Sequence, residues 1–218
     1  MLPLTLHSPK PMQKVLGKNL LQWKIEALPK QVDEVIIVIG YLGDVIRDFF
    51  GDEHSGKKIR YVVQEELDGT GGALYAAKEL LRDRFIVMMG DDLYGTADIA
   101  RMLSCDWAIG GYAVRERESG GEITKNAEGM FDSIVEGRHY VADGFVNTNL
   151  LMLKKDIFSY EFVRSPDGKE LWLPHTLLIA SKKIGVPLIE VKKWFQITTP
   201  EDLIRAEVFV QGDQHLDE

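Results

Sequence analysis

Three short runs carry residue types suited to handling phosphates. The first is Gly90-Asp91-Asp92, at the end of the apolar segment 85–90 (FIVMMG). A carboxylate directly after a buried strand, beside a glycine that permits close approach, can mount Mg2+ and the phosphates it carries. The competing reading is an aspartate that hydrogen-bonds only its own turn. The second run is Gln64 followed by Gly69-Thr70-Gly71-Gly72. Glycines at a helix start expose backbone N–H groups to an anion or let a planar base lie close. The Gln64 amide offers a base edge both a donor and an acceptor. A glycine-rich loop with no ligand is the alternative. The third is Lys10, between Pro9 and Pro11. The two prolines stiffen its backbone, which suits a phosphate anchor; otherwise it is a surface lysine in a proline turn.

The elements that must position these residues show as two alternating signals in the first half. Apolar runs of strand length fall at 34–40 (EVIIVIG), 58–64 (KIRYVVQ) and 85–90, with helical periodicity over 20–28, 42–50 and 72–81 between them. Strands apolar on both faces, each followed by a helix, predict a mostly parallel sheet covered on both sides, the α/β class. Ligands of such sheets bind at the carboxyl ends of the strands. Further on, 107–114, 130–135 and 145–153 read as strands, 125–129 (KNAEG) as a hairpin turn, 171–182 as a helix and 187–191 as a strand. Thr199-Pro200-Glu201-Asp202 opens a last helix, with Thr199 as its cap, and the tail over 212–218 is expected to fray. With no repeat or linker, the expectation is one domain over 1–218, with a nucleotide-facing half over roughly 1–105 and a sugar-facing half over 106–218.

Bulk properties narrow the function. The formal net charge is −8, which argues against nucleic-acid binding and against docking on an anionic membrane. No apolar run reaches the roughly 20 residues that span a bilayer, and no signal peptide is recognisable. Cys105 is the single cysteine, which suits a reducing cytoplasm, the expected location. His7, His54, His139, His175 and His215 show no zinc-ligand spacing.

Read together, the runs resemble the sugar-1-phosphate nucleotidyltransferases, or NDP-sugar pyrophosphorylases. The matching residues are Pro3-Leu4-Thr5, Pro9-Lys10-Pro11-Met12, Val15-Leu16-Gly17-Lys18-Asn19-Leu20-Leu21, Ile39-Gly40-Tyr41 and Phe49-Phe50-Gly51-Asp52. Further along they are Gln64 with Asp68-Gly69-Thr70, Gly90-Asp91, Gly121, Glu136, Asn147-Thr148 and Thr199-Pro200-Glu201-Asp202-Leu203. The resemblance covers essentially the whole chain. It implies a Rossmann-like, GT-A-like nucleotidyltransferase fold with a mixed, mostly parallel sheet flanked by helices. It also implies that Lys10 contacts phosphate, that Gln64, Gly69 and Thr70 hold the nucleotide, and that Asp91 binds Mg2+. Gly121, Glu136 and Asn147 would line the sugar 1-phosphate site, with Glu136 accepting from sugar hydroxyls. The implied partners are an NTP and a sugar 1-phosphate; a homo-oligomer is left open.

The sequence departs from the family pattern in three places. Met1 falls just after the place of the family's Gly-x-Gly-Thr-Arg loop, so the sheet is expected to lack its first strand and the natural protein to begin upstream of Met1. Gln196 stands where many members have a second metal-binding aspartate, and its amide oxygen can ligate Mg2+ without adding charge. Glu136-Gly137-Arg138 replaces a common Glu-Lys-Pro, and an arginine one position along is not equivalent to the lysine. The implied reaction is attack of a sugar 1-phosphate oxygen on the α-phosphorus of an NTP, with pyrophosphate leaving. The rivals are a non-catalytic regulatory or binding subunit of the same fold and a cytidylyltransferase for a non-sugar phosphate.

Overall fold

Asn19 starts the first helix by accepting the Gln22 backbone N–H on its Oδ1 at 2.7 Å, the N-cap interaction that satisfies an otherwise orphaned donor. The computed structural model describes residues 4–6, 8–114, 119–139 and 144–214, with only the backbone of 119, 120, 138, 139, 213 and 214. Met1, Pro3, His7 and His215 lie outside the described residues, as do the side chains of Arg138 and His139.

In chain order the first strands are β1 (Lys14–Val15), β2 (Lys18–Asn19), β3 (Glu34–Ile39), β4 (Glu53–His54), β5 (Lys57–Val63), β6 (Arg84–Val87) and β7 (Asp92–Tyr94). They are followed by β8 (Ala108–Ala113), β9 (Ser119–Lys125), β10 (Phe131–His139), β11 (Phe145–Lys154), β12 (Leu188–Val191) and β13 (Trp194–Gln196). The helices are α1 (Leu20–Ala27), α2 (Gly43–Phe50), α3 (Gly69–Ala77), α4 (Thr96–Leu103), α5 (Leu173–Ser181) and α6 (Pro200–Gln214).

These elements form two compact units. The first comprises the chain through Val63, Met89–Ile99 and the chain from Lys193; the second comprises Gln64–Met88 and Ala100–Lys192. In the first unit β3 and β5 run parallel, and β4 pairs antiparallel with β5. Leu21 and Ile25 of α1, Ile46 and Phe50 of α2, and Ile37 and Ile59 of the strands share one core cluster. A second cluster joins Leu20, Leu93 and Ile197 to Ala206 and Val210 of α6. Burying each of these leucine, isoleucine, valine or phenylalanine side chains contributes roughly 1.5–3 kcal/mol. β7 and β13 form a short antiparallel pair, Asp92 opposite Gln196 and Trp194 opposite Tyr94.

The second unit is built on β11. Its sequence is apolar on both faces because both are covered, and Leu150 to Leu153 are almost wholly buried. β11 pairs antiparallel with β8, β9 and β6, β10 extends the sheet beyond β9, and β12 lies parallel to β8. Leu173, Leu177 and Ala180 of α5 pack with Phe131, Ile134 and Leu151.

The mixed α/β class holds, but the expected parallel majority does not. Among the described residues only β3–β5 and β8–β12 pair in parallel. Among the described strands after residue 107, only β9 and β10 are consecutive and pair with each other, through the Asn126–Gly129 turn, and such a hairpin forces antiparallel pairing; β11 meets β6, β8 and β9 antiparallel across longer connections. Two other expectations are corrected. The strand expected over 85–90 ends at Val87, and Asp92 starts a separate strand. The last helix continues through Gln214, past the start of the expected frayed tail at 212. Among the described residues no helix is long and apolar enough to cross a membrane.

Candidate active site

The first unit holds a buried-to-half-buried group of charges around the link from β6 to β7. Asp91 reaches well beyond its own turn: its Oδ2 accepts a hydrogen bond from Lys10 Nζ at 2.5 Å, between residues 81 apart in sequence. The prolines flanking Lys10 set it in a single 3-10 turn, Lys10–Met12, so the lysine reaches Asp91 from a stiff base. Gly90 lies close to Pro11, whose Cγ would stand 3.3 Å from a Cβ at that position.

Two further charges belong to this group. Asp92 is buried and accepts from Trp194 Nε1 at 3.0 Å. Burial first, and then the neighbouring Asp91 charge, push its carboxyl up to about 6, against the pull of Trp194, Lys24 and Lys10. Lys24 is buried in α1 and donates to the Met89 carbonyl. Burial lowers its pKa to about 8, although Asp92 and Asp91 hold it up. Sequence reasoning missed Lys24, and its signal was present. The inward stripe of α1 runs Leu20, Leu21, Lys24 and Ile25, with buried Leu28 just past its end, so the lysine occupies an apolar-face position. Gln196 sits opposite Asp92 and is exposed.

The second unit holds the remaining candidates. Gln64 Nε2 donates to Asp68 Oδ1 at 2.8 Å and to Gly69 O at 3.3 Å, so the amide is held at the mouth of α3. The glycines that follow are needed by the chain itself. Gly69 has φ +87°, and a Cβ there would meet Glu170 Cβ and Leu171 O, both at 2.9 Å. The Gly71 N–H donates to Leu171 O at 2.7 Å, and a Cβ on Gly72 would overlap the Asp68 carboxylate. Thr70 Oγ1 accepts from the Leu173 N–H at 3.3 Å, tying the start of α3 to the start of α5.

Gly121 and Glu136 face each other on β9 and β10: a Cβ on Gly121 would lie 3.0 Å from Glu136 Oε2 and 3.1 Å from Oε1. The register between these strands shifts between Val135 and Arg138, and Gly137 takes φ +68°. This β-bulge re-aims Glu136 and explains the glycine where a lysine is common: the left-handed backbone favours it. Burial raises the Glu136 carboxyl. His175, in the first turn of α5, places Nδ1 3.9 Å from Glu136 Oε1. Asn147 lies on β11 opposite Gly111 and is nearly buried. Its amide donates to Asn149 Oδ1 and accepts from Asn149 N–H, both at 3.0 Å, where Asn149 adopts φ +53°.

The nine candidates therefore divide, with Lys10, Asp91 and Gln196 in the first unit and Gln64, Gly69, Thr70, Gly121, Glu136 and Asn147 in the second.

The chain belongs to the nucleotidyl transferase family, whose sequence model matches residues 1–211. It is 28% identical over 212 residues to the bifunctional protein GlmU of Methanocaldococcus jannaschii, covering 95% of this chain and 50% of that protein. It thus spans about half the length of the GlmU relatives it matches. It is 26% identical over 223 residues to the UTP–glucose-1-phosphate uridylyltransferase AglF of Haloferax volcanii, covering 97% of this chain and 91% of that one. A crystal structure of a putative glucose-1-phosphate thymidylyltransferase from Bacillus anthracis, in complex with a sucrose, superposes with a TM-score of 0.82 at 19% identity. It covers 97% of this chain and 90% of that one, and supports the fold.

Proposed function

We propose that this protein transfers a nucleotidyl group from an NTP to a sugar 1-phosphate, releasing pyrophosphate and an NDP-sugar. The observation that carries the reading is the Lys10–Asp91 pair, a cation and a carboxylate held 2.5 Å apart by residues of distant segments. A phosphate oxygen of the sugar 1-phosphate forms the new bond to the α-phosphorus, and the bond from that phosphorus to the bridging oxygen breaks. Nucleophile and electrophile are both anionic, so positioning and charge stabilisation dominate the catalysis.

In this reading Lys10 offers its ammonium to phosphate oxygens, Gln64 and Gly69 present polar groups to the base beside Thr70, and Glu136 accepts from sugar hydroxyls with Gly121 giving it room. Asn147 completes the sugar side. Lys10 takes Oδ2 of Asp91 and leaves Oδ1. That carboxylate oxygen and the exposed Gln196 amide are hard-oxygen donors of the kind Mg2+ takes. Burial is the larger cause of the upward shift of Asp92 and repulsion from Asp91 the smaller one; that second part is what a cation at Asp91 would relieve. Asp91 and Gln196 would hold the ion, and bound Mg2+ supplies charge neutralisation to the reacting phosphates.

The test is a matrix of the four NTPs against common sugar 1-phosphates on the protein, read as pyrophosphate, with Asp91→Asn beside it. Release from at least one pair, lost in Asp91→Asn, is expected; silence across the matrix would sink the reading. The neutral, exposed Gln196 favours a second reading, a non-catalytic binding subunit. That subunit would bind substrates by calorimetry without releasing pyrophosphate.

A further inference from the structure

His175 is absent from the motifs that mark the candidate site, yet it stands against one of its residues. Its Nδ1 is fully buried without a hydrogen-bond partner among the described residues, and Glu136 Oε1 is 3.9 Å away. A buried ring nitrogen left unpaired is costly, and Glu136 can relieve it. The carboxylate is 43% exposed, and Gly121 leaves the space over which it swings. The imidazole cannot move as freely. It packs on the Trp172 ring at 4.5 Å between centroids, and the neighbouring α5 residues Leu173, Pro174 and Thr176 are buried.

We infer that His175 is a positioning residue for Glu136: its Nδ1–H engages Oε1 and turns Oε2 toward the substrate, so that one carboxylate oxygen is committed to the protein and the other to a sugar hydroxyl. This rests on the reading of Glu136 as a sugar ligand. Burial lowers the His175 pKa, which favours the neutral ring. A neutral imidazole carries one proton, and the carboxylate selects Nδ1 for it. A fixed acceptor discriminates a hydroxyl at one position of the sugar from a substituent that cannot donate.

The first test needs no catalysis. Long-range 1H–15N correlation on protein labelled at its five histidines reads which ring nitrogen of His175 is protonated. The expected result is the Nδ1–H tautomer, shifting toward Nε2–H in Glu136→Leu. An Nε2–H tautomer in the wild type, or one indifferent to Glu136→Leu, overturns the inference. The second test compares His175→Phe, which keeps a ring but no donor, with His175→Asn, whose amide N–H stands near the place of Nδ1. His175→Phe should raise KM for the sugar 1-phosphate about tenfold, the effect of losing one charge-assisted hydrogen bond. His175→Asn should restore most of it, with KM for the NTP and the melting temperature unchanged in both. Unchanged sugar affinity in His175→Phe overturns the inference. If the tautomer behaves as expected while no substrate pair yields pyrophosphate, the enzymatic reading fails and the positioning contact stands.

Discussion

The Glu136 carboxylate lies directly over the α-carbon of Gly121, so close that a methyl group there would stand 3.0 Å from Oε2. The obstacle is the end of a flexible side chain, not backbone. Gly121→Ala should therefore leave stability within about 1 kcal/mol of wild type while displacing Glu136. The expected outcome is a KM for the sugar 1-phosphate raised roughly tenfold with the KM for the NTP unchanged. Steady-state kinetics in both substrates checks it, and an equal rise in both constants would contradict the placement of Glu136 on the sugar side.

Lys10 and Asp91 separate function from stability. Their side chains are 27% and 24% exposed, and ion pairs so open to solvent contribute about 0.2–1 kcal/mol. Asp91→Asn should shift the melting temperature by only a few degrees, roughly 2–4 °C per kcal/mol for a chain of this size. Turnover should fall about a hundredfold or more. A double-mutant cycle of Lys10→Ala and Asp91→Ala, read in pyrophosphate release, should be strongly non-additive. Full turnover in Asp91→Asn would remove the metal assignment.

Much of this was legible because it is local. The apolar run of β3, the inward stripe of α1 and the Thr199-Pro200-Glu201-Asp202 start of α6 each declare themselves within a few residues. Strand direction is different. The two-faced apolar pattern of β11 reports burial on both faces and carries no record of antiparallel neighbours. Nor does three-residue β7 announce a partner: Asp92 meets Trp194 across 102 positions. Among the site residues, the family resemblance named Gly121 and Glu136, and the structure sets them face to face. It named neither His175 nor Lys24. Both take their surroundings from tertiary packing, although Lys24 betrays itself as a charge on an apolar stripe.

Gly69 and Gly129 both have left-handed backbones, with φ +87° and +79°, but a Cβ on Gly129 would meet nothing within 4 Å. Gly129→Ala should cost only the backbone strain, about 1–2 kcal/mol. Gly69→Ala adds a collision with Glu170 Cβ and the Leu171 carbonyl at 2.9 Å, where the obstacles include backbone, and should cost about 2–4 kcal/mol. It should also disturb Gln64, whose amide donates to Gly69 O. Urea unfolding of the two variants checks the order, and equal losses would mean that packing against 170–171 contributes nothing.

The start of α6 links stability to acid pH. Asp202 Oδ2 accepts from the backbone N–H groups of Thr198 at 2.9 Å and Thr199 at 2.8 Å. Thr199 Oγ1 in turn receives the Asp202 N–H at 3.4 Å, a reciprocal cap. Burial pushes the Asp202 carboxyl up, but the bonds from Thr199 and Thr198, with Arg205 nearby, outweigh it and hold the pKa below its ordinary 3.8. The unfolded chain therefore takes up this proton at higher pH than the folded one. The cap's full contribution is present above the unfolded pKa and is lost as pH falls through the lower folded value. Asp202→Ala should cost about 1 kcal/mol at neutral pH. In urea titrations carried below the folded pKa the variant should converge on wild type, since protonation has by then removed the same interaction from both; a gap that stays constant with pH would show that the carboxylate charge is not what holds the helix start.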